Sequence, residues 1–335
     1  MSTTRNPSAD VAVLFSAEER RLALREEARR GLTSTPKKLP PKWFYDQRGS
    51  ELFDAITRLP EYYLTRAERS ILERRAGEIA ELTGATTLIE LGSGTSDKTR
   101  LLLDALAPRR FVPFDVSEET LRSSAQQLAL RYPALEITAL VGDFELPLPP
   151  LPGEPRLLAF LGSKIGNLPP TRRTLFLNDV ASALDENDWF LLGADLVKSP
   201  ARLVAAYDDP GGVTREFNLN VLRVLNRELG GDFELSAFEH VARWNAEAEW
   251  MEIFVRSARD QTVRLEALEL EVAFEAGELM RTEISAKFHL QGLTDELEAA
   301  GLVTQHWWID DAGDFALLLA TPTSPGSPRP HRPPR

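Results

Sequence analysis

The sequence predicts an α/β fold: a doubly wound parallel sheet finished by a terminal antiparallel hairpin, with an α+β domain inserted into it. Three observations lead there. Between Thr86 and Leu106 an apolar run (Thr87 to Leu91) meets a turn holding Gly92 and Gly94, then a helical stretch with Leu101, Leu102 and Leu106 on one face. Four more strand-like runs alternate with helical ones as far as Val197, the rhythm of right-handed βαβ units. After about Lys287 come a short helix and two strands, LVTQHWWID and DFALLLATP, joined by Asp311, Ala312 and Gly313 as in a hairpin.

Taken in order, residues 1–15 lack periodicity and are expected to be mobile. From Ser16 the pattern SAEERRLALREEARRGL predicts a helix, with Ser16 and Glu19 spaced as a capping box and Gly31 as its stop. Pro36, Pro40 and Pro41 break the chain before Trp43, Phe44 and Tyr45. Ser50 is expected to cap a short helix carrying Leu52, Phe53 and Ile56, and Tyr62 and Tyr63 follow Pro60 in a loop. Core packing explains these aromatics as readily as a site does.

The second strand, FVPFDV, contains Pro113, which donates no ladder hydrogen bond and is expected where pairing has run out. Ser117, with Glu118 and Glu119 behind it, starts the next helix. The third strand, LEITALVGDFE, ends at Asp143 and Phe144; the fourth, Leu157 to Leu161, runs into GSKIGNLPP; the fifth is WFLLGADLV. From Lys198 to about Lys287 two helical segments give way to alternating strands, read as an inserted lid. It ends in MRTEISAKF, where Glu283 and Ser285 share a face if the stretch is extended, whether that face lines a site or meets solvent. TDELEAAGL predicts a helix capped by Thr294 and ended by Gly301, and the tail SPGSPRPHRPPR is expected to be disordered.

Composition excludes several chemistries. The 335 residues carry a net charge of −12, against a phosphate-backbone partner, so no nucleic-acid role is expected. There is no cysteine, hence no disulfide, thiolate nucleophile or Cys-bound zinc, and the four histidines show no metal-ligand spacing. The N-terminal VAVLF run is too short for a signal peptide and no stretch suits a membrane span, so a cytoplasmic protein with a small-molecule ligand is expected.

The glycine turn points to that ligand. A dinucleotide fingerprint wants a third glycine where Asp97 stands, and Glu90 at the strand end would repel a pyrophosphate. Glu90 instead suits a ligand with a cationic end, such as S-adenosylmethionine, although a glycine turn with no ligand remains an alternative. Asp115, about 20 residues beyond the turn, is placed to accept from both hydroxyls of a ribose. Asp143 with Phe144 suits an adenine, the carboxylate accepting from its amine. Gly162, Ser163, Gly166 and Asn167 put small and polar groups at the carboxyl edge of the sheet, where such folds bind ligands; Asn167 serves equally as a turn residue.

Five parallel strands completed by a helix and a hairpin are the arrangement of class I methyltransferases. The stretches TPKKLPPKWFYDQRGSELFDAITRLPEYYLTRAE, IELGSGTSDKTR, PFDV, GDFE, LGSKIGN, LVAAYDD, FNLNVLRVLNREL, TEISAKF and QHWW carry the resemblance further. From about Leu32 to Ala320 the chain resembles the L-histidine Nα-methyltransferases of ergothioneine biosynthesis. That resemblance implies trimethylation of free histidine to hercynine with S-adenosylmethionine as cofactor. It implies that Tyr45, Gly92, Lys98, Asp115, Asp143 and Phe144 line the cofactor, with Lys98 reaching the methionine carboxylate. It places Tyr62, Asn167 and Tyr207 at the amino-acid end, Tyr62 and Asn167 as the catalytic pair, Glu283 and Ser285 on the imidazole, and Phe53 and Gly162 in the pocket wall. No metal is implied. Lys164 and Ile253 depart from the family pattern, which bears on substrate tuning more than on the reaction. The expected domains are 1–60 as a helical segment packing on the cofactor site, 61–197 with 287–321 as the methyltransferase domain, 198–286 as the substrate insertion, and 322–335 as the tail. A monomer is the working expectation for a state the sequence does not fix. Two rival readings, an N-methyltransferase of another amino acid or indole amine and a non-catalytic S-adenosylmethionine-binding subunit, would not need the Glu283 and Ser285 pair or an ordered amino-acid pocket.

Overall fold

The computed structural model describes residues 9–96 and 98–323; residues 1–8, Asp97 and most of the tail lie outside it. In chain order come β1 (Asp10–Val13), α1 (Ala17–Leu32), α2 (Gln47–Ile56), α3 (Leu64–Thr83), β2 (Thr87–Leu91), α4 (Thr99–Leu106), β3 (Arg110–Asp115), α5 (Glu118–Arg131), β4 (Glu136–Val141), β5 (Arg156–Phe160), α6 (Pro170–Ala183) and β6 (Trp189–Asp195). The insertion supplies α7 (Pro200–Tyr207), α8 (Val213–Leu229), β7 (Phe238–Asn245), β8 (Trp250–Ser257), β9 (Gln261–Leu265), β10 (Leu270–Phe274) and β11 (Leu279–Ala286). The chain closes with α9 (Leu290–Ala299), β12 (Leu302–Ile309) and β13 (Phe315–Pro322).

The central sheet has eight strands in the order β1-β4-β3-β2-β5-β6-β13-β12. All neighbours pair in parallel up to β6, and β13 and β12 are antiparallel, so the expected hairpin closes the sheet. Side-chain alternation sends Leu88, Phe111, Leu157 and Leu191 into one core and Ile89, Val112, Leu158 and Phe190 into another on the opposite face. Both faces are thus covered, which is why these strands read as unbroken apolar runs. Each fully buried leucine or isoleucine contributes about 1.5–3 kcal/mol relative to exposure. The insertion folds as a three-stranded antiparallel sheet, β11-β8-β7, beside the hairpin β9-β10.

Several local expectations are corrected. Residues 10–13 are not free: they form β1, whose pairing with β4 makes the parallel set six strands instead of five. Gly31 lies within α1 and does not end it; the glycine instead makes room for the backbone of Lys38, whose carbonyl oxygen would stand 1.9 Å from a Cβ there. The capping box at Ser16 is present as expected. Asp46, not Ser50, caps α2 by accepting from the Gly49 amide at 2.8 Å. Pro113 is paired after all, opposite Glu90 on β2, and the ladder with β4 skips Val112 and Pro113 before resuming at Phe114. Helix α9 starts at Leu290, a turn before Thr294, whose hydroxyl donates back to the Leu290 carbonyl; Gly301 follows its end as expected.

The N-terminal segment is woven into the insertion. Leu39 donates to the Arg281 carbonyl at 2.8 Å and Arg281 donates to that of Lys37 at 3.0 Å, which adds a short parallel bridge to β11. Asn220 of α8 donates to the Phe44 carbonyl and to Asp46, fixing α2 and the aromatic cluster over the sheet edge.

Candidate active site

The chain leaves β2 for β3 and β4 on one side and returns to β5 on the other, so the carboxyl ends of β2 and β5 flank a topological switch point. A cavity of about 450 Å³ opens there, within the range of small-molecule and cofactor sites. Every nominated site residue lines it except Asp143.

One half is built on the glycine turn. Gly92 (φ +66°) and Gly94 (φ +51°) take left-handed backbone that glycine adopts without strain. The amides of Gly92 and Ser93 both donate to the Phe114 carbonyl, at 2.7 and 3.1 Å, which pins the turn to β3. Asp115 accepts from the amides of Gly94 and Ser117, both at 2.9 Å, so its carboxylate is oriented and still has lone pairs facing the cavity. Ser93 also lines the cavity and its hydroxyl oxygen is buried without a protein partner. Asp143 sits behind this wall: one oxygen pairs with Lys42 at 2.8 Å, the other accepts from the Glu145 amide at 2.9 Å, and Phe144 and Glu145 face the cavity in its place.

The floor between the halves is charged. Glu68, fully buried on α3, accepts from the Gly162 amide at 2.7 Å and from the Lys98 ammonium. Lys98 is therefore already partnered by a carboxylate of the chain. Lys164 lies across Gly92, where a Cβ would meet its Cδ at 2.7 Å, and donates to the Leu161 carbonyl at 3.2 Å. Burial, and then the neighbouring Lys98 charge, push the Lys164 ammonium below its usual range. Burial pushes the Glu90 carboxyl up to about 7, against the opposing hydrogen bond from Thr99.

The other half is aromatic and polar. Tyr45, Phe53, Tyr62 and Tyr207 form a run of edge-on rings with centroids 5.7, 6.2 and 6.2 Å apart. Burial pushes the Tyr62 phenol well above its usual range, so it is a neutral hydroxyl at working pH. Asn167 donates to Glu283 Oε1 at 2.7 Å and to the Ile284 carbonyl at 2.8 Å, spending both amide protons and leaving its oxygen as an acceptor. Burial raises the Glu283 carboxyl to about 7, with Asn167 and Lys287 pulling the other way. Ile253, opposite Glu283 across the β8–β11 ladder, is buried and does not line the cavity. Ser285 and Tyr207 hydrogen-bond each other at 2.7 Å, and Lys287 donates to both.

Three functional candidates escaped the sequence reading. Nothing in the α3 pattern distinguishes Glu68 from surface acids. Ser93 sits in a motif already read for its glycines. Lys287 had a signal: residues 283, 285 and 287 continue one period-2 face. Among the described residues no cluster of three or more acidic or histidine side chains could hold a metal, and no helix is long and apolar enough to cross a membrane.

Comparison with known proteins adds the chemistry. A family model described as histidine-specific, S-adenosylmethionine-dependent methyltransferase matches residues 24–322. A histidine N-alpha-methyltransferase of Mycolicibacterium smegmatis is 54% identical over 315 residues, covering 92% of this chain and 98% of that protein. One of Mycobacterium tuberculosis is 57% identical over 304 residues, covering 89% and 95%. Ergothioneine biosynthesis protein 1 of Neurospora crassa is 36% identical over 205 residues, 58% of this chain and 23% of that protein.

Proposed function

The chain belongs to the family of histidine-specific, S-adenosylmethionine-dependent methyltransferases, and we propose that this cavity is where it methylates the α-amino nitrogen of L-histidine, three times, to hercynine in ergothioneine biosynthesis. The observation that carries the reading is convergence: the turn at Gly92 and Asp115 opens into the same cavity as Asn167, Tyr207, Glu283 and Ser285.

The residues present fit the cofactor. The unpartnered Ser93 hydroxyl, the oriented Asp115 carboxylate and the two lysines flanking Gly162 match a ligand that carries hydroxyls and a carboxylate. Asp115 would hold the ribose, Phe144 the adenine edge with Asp143 behind it, Tyr45 and Gly92 the walls, and Lys98 with Lys164 the carboxylate end. When bound, S-adenosylmethionine supplies an electrophilic methyl on a sulfonium.

What the chain does is hold the amine. The Asn167 oxygen, its amide protons spent, accepts from an N–H of the α-amino group, and Tyr62 orients the same nitrogen. With its phenol raised by burial, Tyr62 acts as a neutral hydroxyl that orients the nitrogen and not as a phenolate base, and the substrate ammonium loses its proton before attack. Near-attack positioning of this sort contributes on the order of 7–11 kcal/mol. The faces of Phe53, Tyr62 and Tyr207 accommodate the fixed cation that forms as methyls accumulate. Glu283 accepts from one imidazole N–H, and Ser285 donates to the other nitrogen.

Mass spectrometry of an incubation with histidine and cofactor tests the reading. Trimethylated histidine is the expected product. Methylation of tryptophan or phenylalanine in preference to histidine would overturn it.

A further inference from the structure

We propose that Lys287 is a positioning residue that turns the Tyr207 and Ser285 hydroxyl protons away from itself, so that this wall of the site always has at least one proton, and at most two, to donate to ligand atoms that carry a lone pair. The inference rests on the reading that Tyr207 and Ser285 face histidine. It comes from counting protons. The buried Lys287 ammonium has three, and three acceptors surround it: Asp195 at 2.9 Å, the Tyr207 oxygen at 2.8 Å and the Ser285 oxygen at 2.9 Å. An ammonium has no lone pair, so neither hydroxyl can donate back to it.

The two hydroxyl protons then have only two destinations, each other's oxygen or the cavity. With no ligand bound they satisfy each other through the 2.7 Å bond between Tyr207 and Ser285, which uses one proton and leaves one. A ligand with two acceptors, a carboxylate oxygen and an unprotonated imidazole nitrogen, replaces that bond and takes both protons. Lys287 keeps both oxygens satisfied throughout. An imidazolium or a hydrocarbon ring offers Ser285 no lone pair, so its proton returns to Tyr207 and the donor bond that the neutral imidazole makes is forfeited. Across the pocket Glu283 offers the complementary acceptor, so the pair fixes one neutral tautomer.

The lysine is held for this role. Asp195, fully buried, also accepts from Tyr63 at 2.8 Å and from Lys198, so it stays partnered if Lys287 is removed. A Lys287→Met variant is therefore expected to fold.

The test is a double-mutant cycle. Histidine KM and kcat, together with calorimetric affinity for S-adenosylhomocysteine, are measured for the wild type, Lys287→Met, the Tyr207→Phe/Ser285→Ala pair, and the triple variant. Lys287→Met is expected to raise histidine KM about 10- to 100-fold with cofactor-product affinity within about twofold of wild type. In the background lacking both hydroxyls, the same substitution is expected to change KM by less than about threefold, because the groups through which it acts are gone. An unchanged KM in Lys287→Met, or an equal loss with and without the hydroxyls, overturns the inference and leaves Lys287 as a structural partner of Asp195. A Tyr207→Phe/Ser285→Ala pair with wild-type histidine KM overturns the substrate-site assignment itself.

Discussion

Replacing Glu283 with glutamine separates what the residue does for the substrate from what it costs the fold. The carboxyl is lifted from an ordinary 4.5 to about 7, chiefly by burial. A carboxyl whose folded pKa lies above its unfolded one favours the fold fully below about pH 4.5, and that contribution is lost as pH climbs through about 7. The gap of roughly two and a half pH units corresponds to about 3 kcal/mol, an upper figure because the cavity admits water. Glu283→Gln is therefore expected to be more stable than wild type at pH 8, with the advantage shrinking towards pH 5. The substrate effect has the opposite sign. Asn167 donates to Glu283, so the new amide turns its oxygen to Asn167 and presents its NH₂ to the imidazole N–H. Losing a charge-assisted hydrogen bond costs about 1.5–3 kcal/mol, or roughly 10- to 150-fold in kcat/KM for histidine, and narrows the preference over phenylalanine. Thermal unfolding of both proteins at pH 5 and 8, beside kcat/KM for histidine and phenylalanine, is the assay. The reasoning is refuted if the stability difference is the same at both pH values or if the histidine preference is unchanged.

Asp115→Ala should weaken S-adenosylhomocysteine binding by about 1.5–3 kcal/mol in calorimetry, and wild-type affinity would remove Asp115 from the cofactor site. Tyr62→Phe should lower kcat for histidine while leaving cofactor affinity and melting temperature nearly unchanged. The Tyr62 hydroxyl enters none of the hydrogen bonds found among the described residues and phenylalanine keeps the ring contacts, so a large loss of stability would show that the hydroxyl has a structural role. Gly31→Ala sets about 1 kcal/mol of helix propensity against a methyl driven into the Lys38 carbonyl, and overpacking at about 1–3 kcal/mol or more should win. Urea unfolding that shows a more stable variant would contradict this.

The sequence by itself determined the scaffold and the half of the cavity built on the glycine turn. β2, its glycine turn and Asp115 are local features: strand alternation, left-handed glycine backbone and a carboxylate at a strand end are all written within about 30 residues. The hairpin at Asp311 to Gly313 was legible for the same reason. Period-2 alternation also put Glu283 and Ser285 on one face. Their partners were decided only by the tertiary structure. Asn167 meets Glu283 across 116 residues of sequence, Glu68 captures Gly162 and Lys98 from α3, and Lys287, just past the end of β11, closes on Tyr207 of α7. β1 joins the sheet only because β4 leaves an open edge for it, which four residues of weak pattern cannot announce. Periodicity fixes which face a side chain takes. How the sheet, the N-terminal segment and the insertion dock fixes what that face meets, and so it was docking that turned Asn167 towards Glu283 and engaged Lys98 before any ligand arrives.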